Sequence, residues 1–113
     1  MNNRKTGSRY EEAAAVYMEE KGMHIVCRNF RTRTGEIDIV AIDRGVLVFA
    51  EVKYRRDDSR GTALEAISSA KQKQVRSVAR QFLFSHKEYT GHPIRFDAVG
   101  ITGDQFQYIQ NAF

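Results

Sequence analysis

The stretch Gly35–Arg56, GEIDIVAIDRGVLVFAEVKYRR, predicts the centre of the fold. Two runs rich in branched and aromatic residues, 36–42 and 46–54, flank the dipeptide Arg44-Gly45. Such runs on either side of a short turn are typical of a β-hairpin. The rest of the chain is therefore expected to be arranged around two antiparallel strands.

The register of this hairpin brings two acidic side chains together. A turn centred on its midpoint places Asp38 opposite Glu51, and Glu36 opposite Lys53. Directly opposed side chains have Cβ atoms about 5 Å apart, and like charges at that separation are destabilising. A hard divalent cation between the carboxylates would remove the repulsion, since Mg²⁺ binds oxygen ligands. Lys53 follows Glu51 by two residues and shares its face of the strand, so the three side chains predict a hydrolytic metal site.

A solvated hairpin face is the alternative interpretation, with Glu36 and Lys53 as a cross-strand ion pair. The remaining hairpin residues argue against it, because one face is apolar throughout and the other is apolar towards the turn. A hairpin with two apolar faces is covered on both sides, which leaves the charged residues in a cleft. The apolar residues are Ile37, Ile39, Ala41, Val48, Ala50 and Val52 on one face, and Val40, Ile42, Leu47 and Phe49 on the other.

Length, charge and cysteine content restrict the class of protein. The 113 residues suffice for one domain, assigned to residues 7–113 after a disordered tail over 1–6. The net charge of +4 and the sequence pI of about 9.4 are compatible with a nucleic-acid partner. The lone Cys27 fits a reducing compartment. No apolar run approaches the roughly 20 residues of a membrane span, so we expect a cytoplasmic protein without membrane contact.

The first predicted helix carries a candidate third acid. Capping-box spacing from Ser8 predicts a helix that runs to about Lys21 and ends at Gly22. At about 100° per residue, Glu11 flanks the apolar stripe of this helix, whereas Glu12 points away from it. Glu11 either reaches inward to the site or is there because acids are favoured in a helix's first turn.

Basic residues near the hairpin are candidates for phosphate contacts. Arg31, before the hairpin, either binds phosphate or protects an edge strand from aggregation. Arg55 and Arg56 begin a charged loop that either holds a phosphate backbone or is simply solvated. Lys71 interrupts the buried stripe of a helix predicted over 63–85, so it either overhangs the cleft or extends to water at the edge of the core.

Three further segments are predicted to complete an α/β fold. Residues 23–30 and 94–101 are expected as strands, the latter parallel to the Glu51 strand because a helix separates the two. Asp97, in the middle of that strand, pairs either with Arg95 or with the lysine of the hairpin. Residues 105–113 form either a last strand or an aromatic tail packed on the core.

These residues resemble known protein families at two levels. Glu11, Asp38 and Glu51-Val52-Lys53 resemble the PD-(D/E)xK nuclease core of archaeal Holliday-junction resolvases and type II restriction enzymes, although Ile37 stands where that motif often has proline. Nearly the whole chain resembles the YraN-like family of uncharacterised bacterial proteins, which has no settled activity. The matching stretches are Gly7, Glu11, Ala14, Gly22, Arg28-Asn29, Gly35-Glu36-Ile37-Asp38, Val48-Phe49, Glu51-Val52-Lys53-Tyr54-Arg55, Lys71-Gln72, Arg95-Phe96-Asp97 and Asn111-Ala112-Phe113.

The resemblance implies an α/β, restriction-endonuclease-like three-layer fold, with a mixed central sheet of four to five strands flanked by helices. It implies that Asp38 and Glu51 bind Mg²⁺ or Mn²⁺, assisted by Glu11 and the carbonyl group of Val52. Lys53 would orient the attacking water or neutralise developing charge. The residues implied to position the nucleic-acid backbone are Lys71, Gln72, Arg55 and Arg56.

Three functions are consistent with the sequence. The first is a metal-dependent endonuclease acting on structured or branched DNA, with a homodimer as a further expectation because resolvase-like enzymes cut paired strands. The second is a nucleic-acid-binding protein that keeps the fold and does not cleave. The third is a small interaction domain. The sequence does not decide between DNA and RNA, and it leaves the cellular pathway and the role of Glu36 open.

Overall fold

The computed structural model describes residues 3–57, 59, 61 and 67–113, and of residues 3–8 only the backbone. Its regular elements, in chain order, are α1 (Asn3–Glu20), β1 (His24–Arg31), β2 (Glu36–Asp43), β3 (Val46–Arg55), α2 (Ser69–Ser85), a 3₁₀ helix (Lys87–Tyr89), β4 (Ile94–Thr102) and β5 (Gln105–Ile109). The five strands form one sheet in the order β1-β2-β3-β4-β5.

The sheet separates two apolar cores, each covered by one helix. The core between α1 and the sheet contains Ala14, Ala15, Met18, Met23, Ile39, Ala41, Val48, Ala50, Val99 and Ile101. The core between α2 and the sheet contains Ile37, Val40, Leu47, Phe49, Val75, Val78, Ala79 and Phe82. β3 and β4 are parallel, whereas the other neighbouring strands are antiparallel. The predicted class is thus confirmed: a mixed five-stranded sheet in a three-layer, restriction-endonuclease-like fold.

Both helices begin elsewhere than the sequence predicted. α1 starts at Asn3 rather than Ser8, so residues 3–6, assigned above to a disordered tail, have helical backbone. α2 starts at Ser69, because Ser68 has an extended backbone (φ −72°, ψ 163°) and its hydroxyl accepts a hydrogen bond from the Lys71 N–H. Serine is a favoured N-cap, whereas the prediction had extended the helix back to residue 63. Residues 62–66 lie outside the described residues.

The hairpin register is confirmed next to the turn and changes at the open end. The pairs from Asp43–Val46 to Ile39–Ala50 follow the predicted register. The antiparallel ladder between β2 and β3 ends there, before Glu36 and Lys53 could pair. On the other edge of β2, Glu36 pairs with Arg31 of β1. The Arg31 Nε donates to the Glu36 carboxylate at 2.8 Å. The expected Glu36–Lys53 pairing was therefore wrong.

A break in side-chain alternation explains why the ladder ends. Ile39 packs in the α1 core, but Ile37 and Val40 both pack in the α2 core. In a regular strand residues 37 and 39 would share a face, so the strand changes its orientation at Asp38. On the neighbouring strand, Asn29 lies between the partners of residues 37 and 39 and has a positive φ of 56°.

The open question about Asp97 has a clear answer. Its carboxylate accepts hydrogen bonds from the Arg95 Nε at 2.9 Å, from the Tyr108 hydroxyl and from the Asn111 N–H at 3.0 Å. Arg95, not Lys53, is its partner.

β5 also confirms that residues 105–109 form a last strand. Among the described helices none is long and apolar enough to cross a membrane.

Candidate metal centre

Asp38 and Glu51 lie beside each other, as predicted, although they lie just beyond Ile39–Ala50, the last pair of the antiparallel ladder. Both are nearly inaccessible, with 6% of Asp38 and 4% of Glu51 exposed. The Val52 N–H donates to the Asp38 Oδ2 at 2.8 Å and fixes that carboxyl group against β3. Glu51 continues the alternation of Leu47 and Phe49, so it faces α2.

The environment of this pair favours a proton or a cation between the two groups. The pKa of Asp38 is raised to about 9, first by burial and then by a hydrogen bond to Glu51 and the charge of Glu51, against the lowering effect of the Val52 N–H. Two adjacent buried carboxyl groups cannot both ionise without a compensating charge. A bound cation would replace the proton, since metal ligands bind in their deprotonated form.

One oxygen of the pair is poorly satisfied. Glu51 Oε2 is buried and receives no hydrogen bond from the described residues. The Lys71 Nζ lies 3.2 Å from this oxygen without hydrogen-bond geometry, so the contact is electrostatic. Hard carboxylate oxygens in a buried site are the donors that Mg²⁺ and Mn²⁺ prefer, so the pair fits the implied metal.

Two further groups were implied as ligands. The Val52 N–H reaches Asp38 at 2.8 Å, and Val52 lines the cavity beside the two acids. The pKa of Glu11 is raised, first by burial and then by the charge of Asp38. Within the described residues, no three His, Cys, Asp or Glu side chains are grouped closely enough to hold a metal. Glu11 therefore does not complete a three-residue ligand group with Asp38 and Glu51.

Asn29 is a site residue that the sequence analysis did not single out. A hydrogen bond from its side chain lowers the pKa of Glu11, against the larger effect of burial. Its left-handed backbone also marks the point on β1 opposite Asp38. Asparagine is depleted in strands and tolerates positive φ, so its position within a predicted strand was the available signal. Glu12 is exposed and pairs with Arg28, as expected for an acid pointing away from the core.

The two lysines of the site have different positions. Lys53 is exposed at the edge of a cavity of about 340 Å³ lined by Asp38, Glu51, Val52, Lys53, Ile67, Ser68 and Lys71. Lys71, from the first turn of α2, is the residue that contacts Glu51. Lys53 thus borders the same cavity as the two acids. The lysine in direct contact with Glu51 is Lys71 of α2.

The other predicted phosphate contacts divide into two groups. Arg31 lines a second cavity, of about 330 Å³, whose wall includes Lys71, so Arg31, Lys71 and Lys53 border adjoining cavities. Arg55 and Arg56 are not lining residues of either cavity. Gln72 is not a lining residue either, and its side chain donates to the Ile67 carbonyl at 3.4 Å.

A larger cavity of about 560 Å³ lies away from this site. Its wall consists of Tyr17, Lys21, Met23, Asp43, Arg44, Val46, Arg95, Tyr108 and Gln110. The acid in that wall, Asp43, already accepts a hydrogen bond from Arg95 at 2.9 Å. The cavity next to Asp38 is smaller, but it is the one that contains an unsatisfied buried carboxylate oxygen.

Comparison with known proteins identifies the family. A UPF0102 protein of Lachnoclostridium phytofermentans is 42% identical over 113 residues, covering 100% of this chain and 96% of the relative. A UPF0102 protein of Alcanivorax borkumensis is 39% identical over 117 residues, covering 99% and 94%. The family model described as "Uncharacterised protein family UPF0102" matches residues 10–101. The YraN-like resemblance is thus confirmed, and the chain belongs to the uncharacterised protein family UPF0102.

Proposed function

We propose that this protein is a metal-dependent endonuclease that hydrolyses phosphodiester bonds in structured or branched DNA. The observation that carries the proposal is the buried Asp38–Glu51 pair, with one carboxylate oxygen that lacks a hydrogen-bond donor. Burying two like charges destabilises a fold unless something compensates them. A binding site for a divalent cation is a functional reason for retaining them.

Each residue of the centre has a distinct task in this proposal. Asp38 and Glu51 hold Mg²⁺ or Mn²⁺, with the Val52 carbonyl as a further donor and Glu11 as an outer acid. The metal would supply Lewis-acid activation of the phosphodiester. The Val52 N–H keeps the Asp38 carboxyl group in place through its 2.8 Å hydrogen bond.

Lys53 is assigned the role of acting on the reacting phosphate. It follows Glu51 on the same face of β3, is exposed, and forms no ion pair with another described residue. Its ammonium group therefore remains available to orient the attacking water or to stabilise charge that develops on the phosphate oxygens.

The adjoining cavities provide a path for the nucleic-acid backbone. Arg31 and Lys71 border them, and the chain has a net charge of +4. Cationic side chains along a groove bind phosphates without reading sequence. Arg55, Arg56 and Gln72 remain proposed contacts for DNA that extends beyond the cavities. A homodimer, which would present two centres to paired strands, belongs to the same proposal.

Cleavage assays with active-site variants test this function. Purified protein is incubated with branched, single-stranded and duplex DNA in Mg²⁺ or Mn²⁺. We expect cleavage by the wild type and its loss in Asp38→Asn and Glu51→Gln. Asp104→Asn, in the exposed turn between β4 and β5, is the matched control and should remain active. Cleavage that survives both active-site substitutions would falsify the proposal.

A second candidate is a nucleic-acid-binding protein that does not cleave. One observation favours it: the described residues offer two closely placed acids but no group of three metal ligands. This alternative predicts DNA binding that weakens steeply with salt. It also predicts no cleavage in any metal and no heat of metal binding in calorimetry.

A further inference from the structure

Lys71 has more contacts than a phosphate-binding surface lysine requires. Its Nζ lies 3.2 Å from Glu51 Oε2 and donates to the Gln74 Oε1 at 3.3 Å. The Gln74 Nε2 in turn donates to the Thr34 carbonyl at 2.8 Å. Lys71 is thus held between the buried acid and the loop that joins β1 to β2.

The contact between Lys71 and Glu51 is unequal on its two sides. The Glu51 side chain is 5% exposed, whereas that of Lys71 is 35% exposed. Glu51 Oε2 gains a nearby positive charge but no hydrogen bond. An ammonium group on a four-carbon stem is mobile and strongly hydrated, so it can leave this position at modest cost, whereas the carboxylate cannot.

We propose that Lys71 is a displaceable cation that neutralises Glu51 in the metal-free protein and is released when a divalent metal binds. The proposal rests on the proposed function, because it requires a metal at Asp38 and Glu51. It adds a positioning role: the released ammonium group becomes available to a phosphate of the bound nucleic acid. Metal binding and phosphate binding are then coupled through one side chain.

Electrostatic repulsion by a bound divalent cation would move the Lys71 ammonium group away from Glu51. A divalent cation at Glu51 Oε2 would lie within a few ångströms of the Lys71 Nζ and would repel it. The cavities on either side of Lys71 share it as a lining residue. The ammonium group therefore has space to move away from Glu51 and still remain at the border of the proposed DNA path.

The first test measures metal affinity. Isothermal titration with Mn²⁺ should show that Lys71→Gln binds about tenfold more tightly than the wild type, because the competing charge is gone. Lys73→Gln is the matched control, since Lys73 is exposed on the same helix. Its affinity should stay within about twofold of the wild type. Equal or weaker binding by Lys71→Gln would overturn the proposal.

The second test measures the reactivity of the lysine itself. Amine acetylation followed by mass spectrometry should find Lys71 slow to react without metal and several-fold faster with saturating Mg²⁺. Glu51→Gln should make Lys71 react fast in both conditions. Lys73 serves as the internal reference in each sample, and its rate should not depend on metal.

The outcomes separate this inference from the proposed function. A wild type that gives no metal-binding heat contradicts both the metal centre and the release. A wild type that binds metal while its Lys71 labelling stays constant contradicts the release alone. If Glu51→Gln does not fold, as judged by circular dichroism, the wild-type labelling and the Lys71→Gln affinity still decide.

Discussion

Two buried acidic clusters lie on opposite faces of the same sheet, and their surroundings differ. On the α1 face, Asp97 is 0% exposed and accepts hydrogen bonds from a guanidinium, a hydroxyl and a backbone N–H. On the α2 face, Asp38 and Glu51 lie beside each other, and one carboxylate oxygen has no donor among the described residues. The first cluster is satisfied by the fold itself, whereas the second needs a proton or a compensating positive charge between its two carboxyl groups.

The pKa shifts follow this difference. Hydrogen bonds and charge from Asp97 and Asp43 raise the pKa of Arg95, as expected for a cation between two acids. Burial and the neighbouring Glu51 raise the pKa of Asp38 instead, as expected for an acid without enough positive charge nearby. We infer that the α1 cluster stabilises the fold. The α2 cluster lowers the stability of the fold and is retained for the proposed metal site.

The largest change in the free energy of unfolding is expected from Asp97→Ala. This substitution removes a carboxylate that connects β4, β5 and the C-terminal turn, and it leaves Arg95 partly buried with a single acid. The free energy of unfolding should fall by about 3–5 kcal/mol. Urea denaturation measures it, with the exposed Asp104→Ala expected to change stability by less than about 0.5 kcal/mol. A loss as small as that of the control would remove the distinction between the clusters.

Asp38→Asn is expected to stabilise the metal-free protein, in contrast to Asp97→Ala. Asparagine can still accept from the Val52 N–H and donate to Glu51, and, unlike Asp38 at pH 8, it does not have to take up a proton when the chain folds. Without metal at pH 8, the Tm should rise by about 5 °C, the shift that about 1 kcal/mol produces in a domain of this size. Thermal unfolding followed by circular dichroism checks the rise, and the same variant should lose Mn²⁺ binding. A lower Tm would mean that Asp38 stabilises the fold, as Asp97 does.

The pH dependence of the wild type gives a third test. The folded-state pKa of Asp38 is raised from the ordinary value of 3.8 to about 9. Between these values the folded protein keeps a proton that the unfolded chain releases, so stability falls as pH rises through this window and levels off above it. The Tm of the metal-free wild type should therefore decline more steeply from pH 5 to pH 9 than that of Asp38→Asn. Parallel curves for the two proteins would contradict the assignment.

The sequence predicted the hairpin that brings Asp38 and Glu51 together, because a hairpin depends on residues close to one another in the chain. The short turn at Arg44-Gly45 determines the hairpin register, because the position and length of a turn fix which residues pair. The proximity of Asp38 and Glu51 follows from that register. The pairing of Glu36 with Lys53 failed because the register was extended past the irregularity at Asp38.

The parts that were missed depend on contacts between distant segments. The Lys71–Glu51 contact requires α2 to begin at Ser69 and to dock over the open end of the hairpin. Apolar periodicity continued through the cap at Ser68, so it concealed the true start of the helix. Asp97 had two possible partners because Arg95 lies two residues before it on β4 and Lys53 lies on the neighbouring β3, and only the observed contacts distinguish them.

The smallest effect is expected from Gly35→Ala, which tests the support of Lys71. A Cβ at Gly35 would lie 2.5 Å from the Gln74 Cδ, so the Gln74 side chain must move and lose its hydrogen bond to the Thr34 carbonyl. The free energy of unfolding should fall by about 0.5 kcal/mol. In a Gln74→Ala background the same substitution should cost less, and the double-mutant cycle measures that difference. Strictly additive effects would show that Gly35 is constrained by its own backbone and not by Gln74.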